Sequence, residues 1–358
     1  MSKIKEKIGI ITINDFANYG NRLQNYALQE VIKKIGYECY TIRNIPPLNE
    51  KKKFFLRYIK HILIKKTHKN MGVEVFRKFN ENILFTDCYI NPFNSKKFKF
   101  KKIVVGSDQV WNPRFGRLRS IDLLDFITNE EKISYAASFG ISDLTKEEKL
   151  IVKNNFSVES FKNISVREES AKKIIEDITN RNDIKVVLDP TLLLSSEEWK
   201  KVEMKPSNVP SKKYILTYFL GENILEKYLE KLSKENNYEI INIRVIKDDE
   251  SNKVGPSEFL YLFRNAEVIF TDSFHACVFS IIYKRRFYVT NRVEKNVESM
   301  SSRIDTLLES FSLEDRRIEK IKDVKLNLDD SINYTKVYSI LEKKKKESIE
   351  CLKKFIGN

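Results

Sequence analysis

Short apolar runs rich in β-branched residues alternate with segments of helical periodicity along most of the chain. The run Ile8–Ile13 predicts a strand, and the pattern Leu23–Ile35, closed by Gly36, predicts a helix after it. Cys39–Ile42 predicts a second strand. A strand, a helix and another strand in this order form the unit from which parallel sheets are built. The pattern therefore predicts an α/β fold.

The alternation runs in two series. The first continues with predicted strands at Ile103–Gly106, Ile133–Ala137, Ile164–Arg167 and Val186–Leu188 and a predicted helix at Glu169–Ile178. It ends near Ser195, which is followed three residues later by a glutamate and so predicts a capped short helix. A chain of 358 residues exceeds what one hydrophobic core usually supports. We therefore expect two domains, residues 1–195 and 196–358.

The second series begins after the polar, proline-marked stretch Lys205–Lys213. Its predicted strands are Tyr214–Phe219, Glu239–Ile243, Val268–Thr271 and Phe287–Val289, and its predicted helices are Asn223–Glu235, Pro256–Asn265, one starting from Ser273, and the long basic Tyr334–Phe355. We expect the last helix to fold back over the first domain. Two strand–helix series of comparable size predict two stacked Rossmann-like halves.

The charge of the chain narrows the classes of partner. A formal net charge of +15 implies attraction to anions, which include phosphorylated small molecules, an anionic membrane face and nucleic acid. The basic and aromatic residues form neither an RNA-binding sheet signature nor a helix-turn-helix, so we expect no nucleic-acid partner.

Cysteine and histidine usage indicates the compartment and the kind of chemistry. The four cysteines are far apart and form no CxxC pair, and the polar start, Met1–Lys7, is no signal peptide, so we expect a cytoplasmic protein. No apolar run approaches the roughly 18 residues that span a bilayer. The three histidines are not clustered, so we expect no metal site.

The segment Lys51–Lys69 is basic and amphipathic. Its apolar side chains fall at helical spacing on one face, with lysines and an arginine elsewhere. This composition suits a helix that lies in an anionic membrane interface. It equally suits a surface helix that packs its apolar face on the domain.

The sharpest local pattern is a predicted strand that ends at Thr271 and is followed by a polar turn and a helix with His275 in its first turn. In parallel α/β sheets ligands bind at the carboxyl ends of strands, and a helix N-terminus suits a phosphate. A histidine placed there can donate a proton near neutral pH. The alternative is a helix cap, Asp272 or Ser273, beside a buried histidine that is hydrogen-bonded for structure. The pattern favours function.

Three other segments place polar residues directly after a predicted strand. Arg167 can bind a carboxylate or a phosphate, or it can pair with the two glutamates that follow it. Ser107 and Asp108 can bind hydroxyls or cap a short helix, and Trp111 can stack on a sugar. The loop Asn18–Gln24 has a single glycine, which is no nucleotide-binding fingerprint.

Taken together and in order, the motifs of this chain resemble those of the polysaccharide pyruvyl transferase family. The matching segments are NYGNRLQNYALQ (Asn18–Gln29), VGSDQVWNP (Val105–Pro113), SYAASFG (Ser134–Gly140), SVREES (Ser165–Ser170), LDPTLLL (Leu188–Leu194), GPSEFLYLFRNA (Gly255–Ala266) and TDSFHACVFS (Thr271–Ser280). Each motif alone is modest, but seven in register make chance an implausible explanation.

The resemblance implies a fold similar to the GT-B glycosyltransferases, in which two Rossmann-like domains face each other across a cleft. It implies transfer of a pyruvyl group from phosphoenolpyruvate to the hydroxyls of a sugar or lipid-linked oligosaccharide, often as a cyclic ketal, in the synthesis of capsules, exopolysaccharides or cell-wall polymers. Phosphoenolpyruvate is then a co-substrate, and no cofactor or metal is needed.

The resemblance also implies roles for individual residues. The catalytic histidine falls on His275, which would protonate the methylene carbon of phosphoenolpyruvate, and the anion-binding arginine falls on Arg167, which would hold the donor carboxylate. Beyond what the resemblance implies, we expect Asp108 to bind or activate the acceptor hydroxyl. The expected substrate-binding residues are Ser273, Phe274, Ala276 and Arg303 around the phosphate, and Asn18, Gly20, Arg22, Gln24, Ser107 and Trp111 in the first loops.

Two departures from the family pattern concern the site. Ala276 stands where the family usually has glycine, and Arg22 lies in a segment that is usually small and apolar.

Two functions other than pyruvyl transfer stay open. One is a glycosyltransferase or other group transferase on the same fold that uses a sugar nucleotide. The other is a non-catalytic, membrane-peripheral scaffold in a polymer-assembly complex.

Overall fold

The structure is a computed structural model. It describes residues 5–14, 18–43, 71–89, 98–127, 132–157, 161–243, 254–293, 302–319 and 331–357. The basic segment Lys51–Lys69 lies outside the described residues.

The first half of the chain forms a parallel sheet. Its strands are β1 (Lys7–Ile11), β2 (Glu38–Arg43), β3 (Phe85–Tyr89), β4 (Lys102–Val105), β5 (Lys132–Ser134), β6 (Ser165–Val166) and β7 (Lys185–Val186). The first five pair in the order β3-β2-β1-β4-β5, and β6 pairs with β7. Single bridges between Ile133 and Asn163 and between Ala137 and Val166 join the two sets. The strand order reverses direction between β1 and β4.

Helices connect these strands. They are α1 (Tyr19–Ile35), α2 (Met71–Asn80), α3 (Ser120–Leu123), α4 (Lys146–Asn155), α5 (Glu169–Thr179) and α6 (Ser196–Lys200). Gly36 ends α1 with φ of 113°, where a side chain would be strained, and its N–H donates to carbonyls of the last turn. Ser195 and Glu198 form the predicted capping box of α6.

The second half repeats the architecture. Its strands are β8 (Tyr214–Tyr218), β9 (Glu239–Asn242), β10 (Val268–Thr271), β11 (Arg286–Thr290) and β12 (Arg317–Ile318), all parallel, in the order β9-β8-β10-β11-β12. The helices are α7 (Glu226–Asn236), α8 (Pro256–Asn265), α9 (Phe274–Ile282), α10 (Ser302–Phe311) and α11 (Tyr334–Gly357). The strand order reverses between β8 and β10. The prediction of two Rossmann-like halves is confirmed.

The two halves share an apolar core. Tyr19, at the start of α1, stacks on Phe259 of α8 with 4.7 Å between ring centroids and meets Tyr218 edge-on at 5.6 Å. Its hydroxyl donates to the carbonyl of Val254 at 2.8 Å, so the polar end of this buried ring is satisfied. These contacts hold the N-terminus of α1 against the second half.

The C-terminal helix α11 also contacts both halves. The hydroxyl of Ser348 accepts a hydrogen bond from the N–H of Leu188 at 3.0 Å, and Tyr338 donates to the carbonyl of Ile282 at 2.5 Å. Within the described part of the chain, none of the helices combines the length and the apolar character needed to cross a bilayer.

The structure differs from the predicted elements in several places. It contains six helices and strands that the apolar pattern did not predict, namely α2, α3, α4, α10, β3 and β12. The strand predicted through Ala137 ends at Ser134, because Ala136 adopts a φ of 50° that breaks the extended backbone.

Replacing Phe259 by alanine tests the shared core. We expect the free energy of unfolding to fall by about 3–5 kcal/mol, because a fully buried ring is removed from contact with other aromatic rings. Denaturant unfolding of the full chain measures this. The matched control is Phe115→Ala, because Phe115 is 47% exposed and should change stability by no more than about 0.5 kcal/mol. Equal effects of the two substitutions would contradict the shared core.

Candidate active site

The predicted catalytic residues lie together where the sheets of the two halves meet. Asp108 follows β4, Arg167 follows β6, and His275 lies in the first turn of α9, directly after β10. The ends of β1, β4 and β10 flank the points where each sheet reverses its strand order. In open α/β sheets this reversal opens a crevice in which ligands bind.

Arg167 is the centre of the buried charges. Its side chain is 2% exposed, Nη2 donates to Asp108 Oδ1 at 3.0 Å, and Nη1 donates to Asp189 Oδ2 at 2.9 Å. The ring of Phe274 covers the guanidinium at 4.4 Å. Burial opposes the charged form, but Asp108 and Asp189 outweigh it and raise the pKa of Arg167. Arg167 is therefore a permanent cation.

Asp108 is held in an unusual backbone conformation with φ of 70°. Burial raises the pKa of its carboxyl, whereas the charges of Arg167, His275 and Arg303 lower it, and the net pKa lies below the ordinary value. Asp108 is therefore ionised at neutral pH, and it makes a poor base.

Asp189 belongs to the same cluster, although the sequence did not single it out. Its Oδ2 accepts from Arg167 Nη1 and, at 3.0 Å, from the hydroxyl of Ser107, and it lies 3.8 Å from His275 Nε2. The aspartate occurs within the motif Leu188–Leu194, directly after a predicted strand. That position, the same as that of Arg167, was the signal that could have identified it.

His275 is buried, and its side chain is 10% exposed. Among the described residues, Nε2 has no hydrogen-bond partner. Burial lowers the pKa of His275, an effect that Asp189 and Asp108 oppose and that Arg167 and Arg303 reinforce. With the protein's own groups alone around it, the imidazole is therefore mainly neutral at pH 7.

Gly20 packs directly against the imidazole of His275. A Cβ at Gly20 would lie 2.1 Å from Nδ1 of His275, so only glycine lets the N-terminus of α1 approach the ring this closely. The Nδ1 edge of the ring thus faces backbone of the first half, and Nε2 is the atom left for a ligand. Gly20, which we expected to bind substrate, instead contacts the histidine.

Arg303 reaches the cluster from α10 and is incompletely neutralised. Its Nη1 lies 3.9 Å from Asp108 Oδ1, and the amide of Gln109, with its oxygen turned to the guanidinium, accepts from Nη1 at 2.9 Å. Burial, reinforced by the charge of Arg167, lowers the pKa of Arg303 to about 10. Its Nε has no hydrogen-bond partner in the described part of the chain. A buried cation in this condition is suited to an anion.

The other residues expected around the phosphate lie at the start of α9. Ser273 is the N-cap residue, and its N–H donates to the hydroxyl of Thr271 at 3.0 Å. Phe274 contacts both Arg167 and the edge of His275, and Ala276 is fully buried. The first N–H groups of a helix have no partner within the helix, so this turn can present them to an anion.

Three residues of the first loop make structural contacts within the first half. Asn18 caps α1, and the fully buried Gln24 donates to the hydroxyl of Thr12 at 2.8 Å. Arg22 is fully buried and donates to the carbonyl of Ile13 at 2.7 Å, which gives it no path to an acceptor.

Trp111 is likewise fully buried, edge-on to another aromatic ring, so neither face is open to stack on a sugar. Ser107 is fully buried as well, and its hydroxyl is directed to Asp189.

A cavity of about 230 Å³ adjoins the charged cluster. The residues that line it include Arg167, Asp189, Phe274 and Arg303 of the cluster and Lys344 of α11. The site therefore has space next to its two buried arginines.

Comparisons with known proteins agree with this architecture. A family model described as polysaccharide pyruvyl transferase matches residues 18–292. No curated protein matches the chain significantly.

Among solved structures, the chain is similar to a putative UDP-N-acetylglucosamine 2-epimerase from Listeria monocytogenes, with 10% identity, a TM-score of 0.51, and 98% of this chain and 91% of that chain covered. It is also similar to the UDP-GlcNAc 2-epimerase of Methanocaldococcus jannaschii, with 15% identity, a TM-score of 0.51, and coverage of 95% and 92%. At this identity the likeness shows the fold alone, and it confirms the GT-B-like arrangement.

Replacing Gly20 by alanine tests the contact between the N-terminus of α1 and the imidazole of His275. The added methyl group must displace the ring or the helix, so we expect a loss of about 1–3 kcal/mol of stability and a shifted imidazole resonance of His275. Thermal unfolding and NMR measure the two effects. Gly357→Ala is the control, because a Cβ there meets nothing within 4 Å. Unchanged stability together with an unchanged resonance would contradict the contact.

Proposed function

Because the chain belongs to the polysaccharide pyruvyl transferase family, we propose that it transfers a pyruvyl group from phosphoenolpyruvate to sugar hydroxyls. The product is a cyclic ketal on a capsule, exopolysaccharide or cell-wall polymer. The observation that supports this most directly is the buried Nε2 of His275, which lacks a hydrogen-bond partner within the described residues and lies beside two arginines.

The reaction needs a proton donor at a carbon atom. Protonation of the methylene carbon of phosphoenolpyruvate by His275 Nε2 makes C3 a methyl group and leaves C2 as an oxocarbenium-like centre. A sugar hydroxyl attacks C2 and loses its proton, which restores the charged imidazole. The bond from C2 to the phosphate oxygen then breaks, and a second hydroxyl closes the ring while its proton leaves with the phosphate. No redox partner is needed.

The two buried arginines suit the two anionic groups of the donor. Both terminal nitrogens of Arg167 bind protein carboxylates, and each has one further N–H that can serve the donor carboxylate. Nε makes no hydrogen bond among the described residues and lies 3.9 Å from Glu168 Oε2. The incompletely neutralised Arg303 and the first turn of α9 suit the phosphate. Arg303 therefore takes a larger part than the sequence suggested.

The role that we assign to Asp108 is to orient the acceptor. Its lowered pKa makes it a weak base, so we assign it a hydrogen bond to the acceptor hydroxyl and not removal of the proton in the ground state.

The net charge of +15 supports a location at an anionic membrane face, where a lipid-linked acceptor would be available. We propose that the enzyme is cytoplasmic and that Lys51–Lys69 provides this peripheral contact.

A ligand screen separates this reaction from transfer of a sugar from a nucleotide. We expect phosphoenolpyruvate to raise the melting temperature and uridine diphosphate not to, since a ligand at about 100 times its Kd stabilises by about 2.7 kcal/mol. With sugar acceptors, phosphate release and ketal formation should be lowered about 10²–10⁴-fold by His275→Ala. Stabilisation by the nucleotide alone, or no donor binding and no turnover across a broad acceptor panel, would overturn the proposal.

Donor binding should also take up protons. Burial lowers the pKa of His275, and a phosphate dianion nearby raises it, so the imidazole gains a proton at pH 7 when the donor binds. Calorimetry in two buffers of different ionisation enthalpy measures this uptake. The uptake should vanish in His275→Asn. An uptake of the same size in both proteins would show that another group titrates.

A further inference from the structure

The two carboxylate oxygens of Asp189 serve different partners. Oδ1 accepts from the N–H of Thr191 at 3.0 Å and from its hydroxyl at 2.6 Å, which caps the short helix Pro190–Leu193. Oδ2 accepts from Arg167 Nη1 and from the hydroxyl of Ser107, and it lies near His275 Nε2. Because the cap fixes one oxygen, the direction of the other is fixed as well.

Asp189 also joins groups from both halves of the chain. It is fully buried in the first half, where it holds Arg167 at 2.9 Å, and its Oδ2 lies 3.8 Å from Nε2 of His275, which belongs to the second half. At 3.8 Å the carboxylate does not take a hydrogen bond from the imidazole, so Nε2–H stays available to a ligand while the charge of Asp189 acts on the ring.

We propose that Asp189 is a positioning residue whose charge favours the protonated form of His275 and which holds Arg167 next to the imidazole. It acts through its contacts with Arg167 and His275. The inference rests on the proposed function for its kinetic consequence only, because the effect on the imidazole exists without any substrate.

The charges around His275 determine the sign of this effect. Asp189 and Asp108 raise the pKa of the imidazole, and Arg167 and Arg303 lower it. Gly20, on the α1 side of the ring, carries no charge. Removal of Asp189 leaves the two arginines opposed by Asp108 alone, so the pKa of His275 falls. Because the protonated ring is the active acid, activity is then lost at a lower pH.

The kinetic test compares Asp189→Asn with Thr191→Val. On the basic side of the pH profile, the basic limb, kcat declines as His275 loses its proton. We expect the pH of this decline to be lower by about one unit or more in Asp189→Asn, since an opposite charge within about 4 Å has been removed. Thr191→Val removes the hydroxyl from the cap and leaves the charge in place, so it should lower stability without moving the limb. If both variants lose kcat alike and neither moves the limb, Asp189 is merely structural and the proposal fails.

A second variant covers the case in which Asp189→Asn does not fold. Asp189→Glu keeps the charge and displaces it, so kcat should fall while the basic limb stays where it is in the unsubstituted protein. A downward shift of the limb in Asp189→Glu would overturn the proposal.

NMR gives a readout that does not depend on turnover. The chain has three histidines, and His61→Gln and His68→Gln identify the signal of His275 by elimination. The imidazole of the full-length protein should titrate at a lower pH with Asp189→Asn than without it, and at the same pH with Thr191→Val. An unchanged titration overturns the inference even if the enzyme is active, and a shifted titration in an inactive protein would contradict the proposed function alone.

Discussion

A single buried arginine, clamped between two aspartates, is the interaction on which the site depends. Arg167 brings together the loop after β4, its own loop after β6 and the cap residue Asp189 after β7. A charge buried this deeply is stable only while its partners stay in place, because each unpaired charge in such surroundings costs several kcal/mol. The cluster therefore fixes the loop ends of the first half as a unit before any ligand arrives.

The second half of the chain adds its own side chains to this charged cluster. His275 and Phe274 enter from α9 and Arg303 enters from α10, so the imidazole and the incompletely neutralised cation both come from the half of the chain that does not contain Asp189. The apolar contacts around Tyr19 and Phe259 supply the attraction between the halves, because the charged groups cost free energy when they are buried. Apolar packing thus holds the two halves together, whereas the buried charges determine the protonation states of the site residues.

The sequence predicted the sheet strands well and the direction of side chains poorly. Val268–Thr271 and Pro256–Asn265 were predicted to the residue, because a buried β-branched run and a proline at the first helical position are strong local signals. The helix Lys146–Asn155 was missed because charged residues dominate it. Trp111 and Arg22 follow strands just as Asp108 does, but only the tertiary structure shows that the first two point into the core.

The contact between Gly20 and His275 has a consequence for how such enzymes diverge. The pocket that shapes the histidine belongs to a helix from the other half, so neither half carries a complete site. A hybrid that joins the N-terminal half of this chain to the C-terminal half of a distant relative must therefore match in two places. The aromatic ring of Tyr19 must still pack against the second half, and a glycine of the first half must still lie against the histidine.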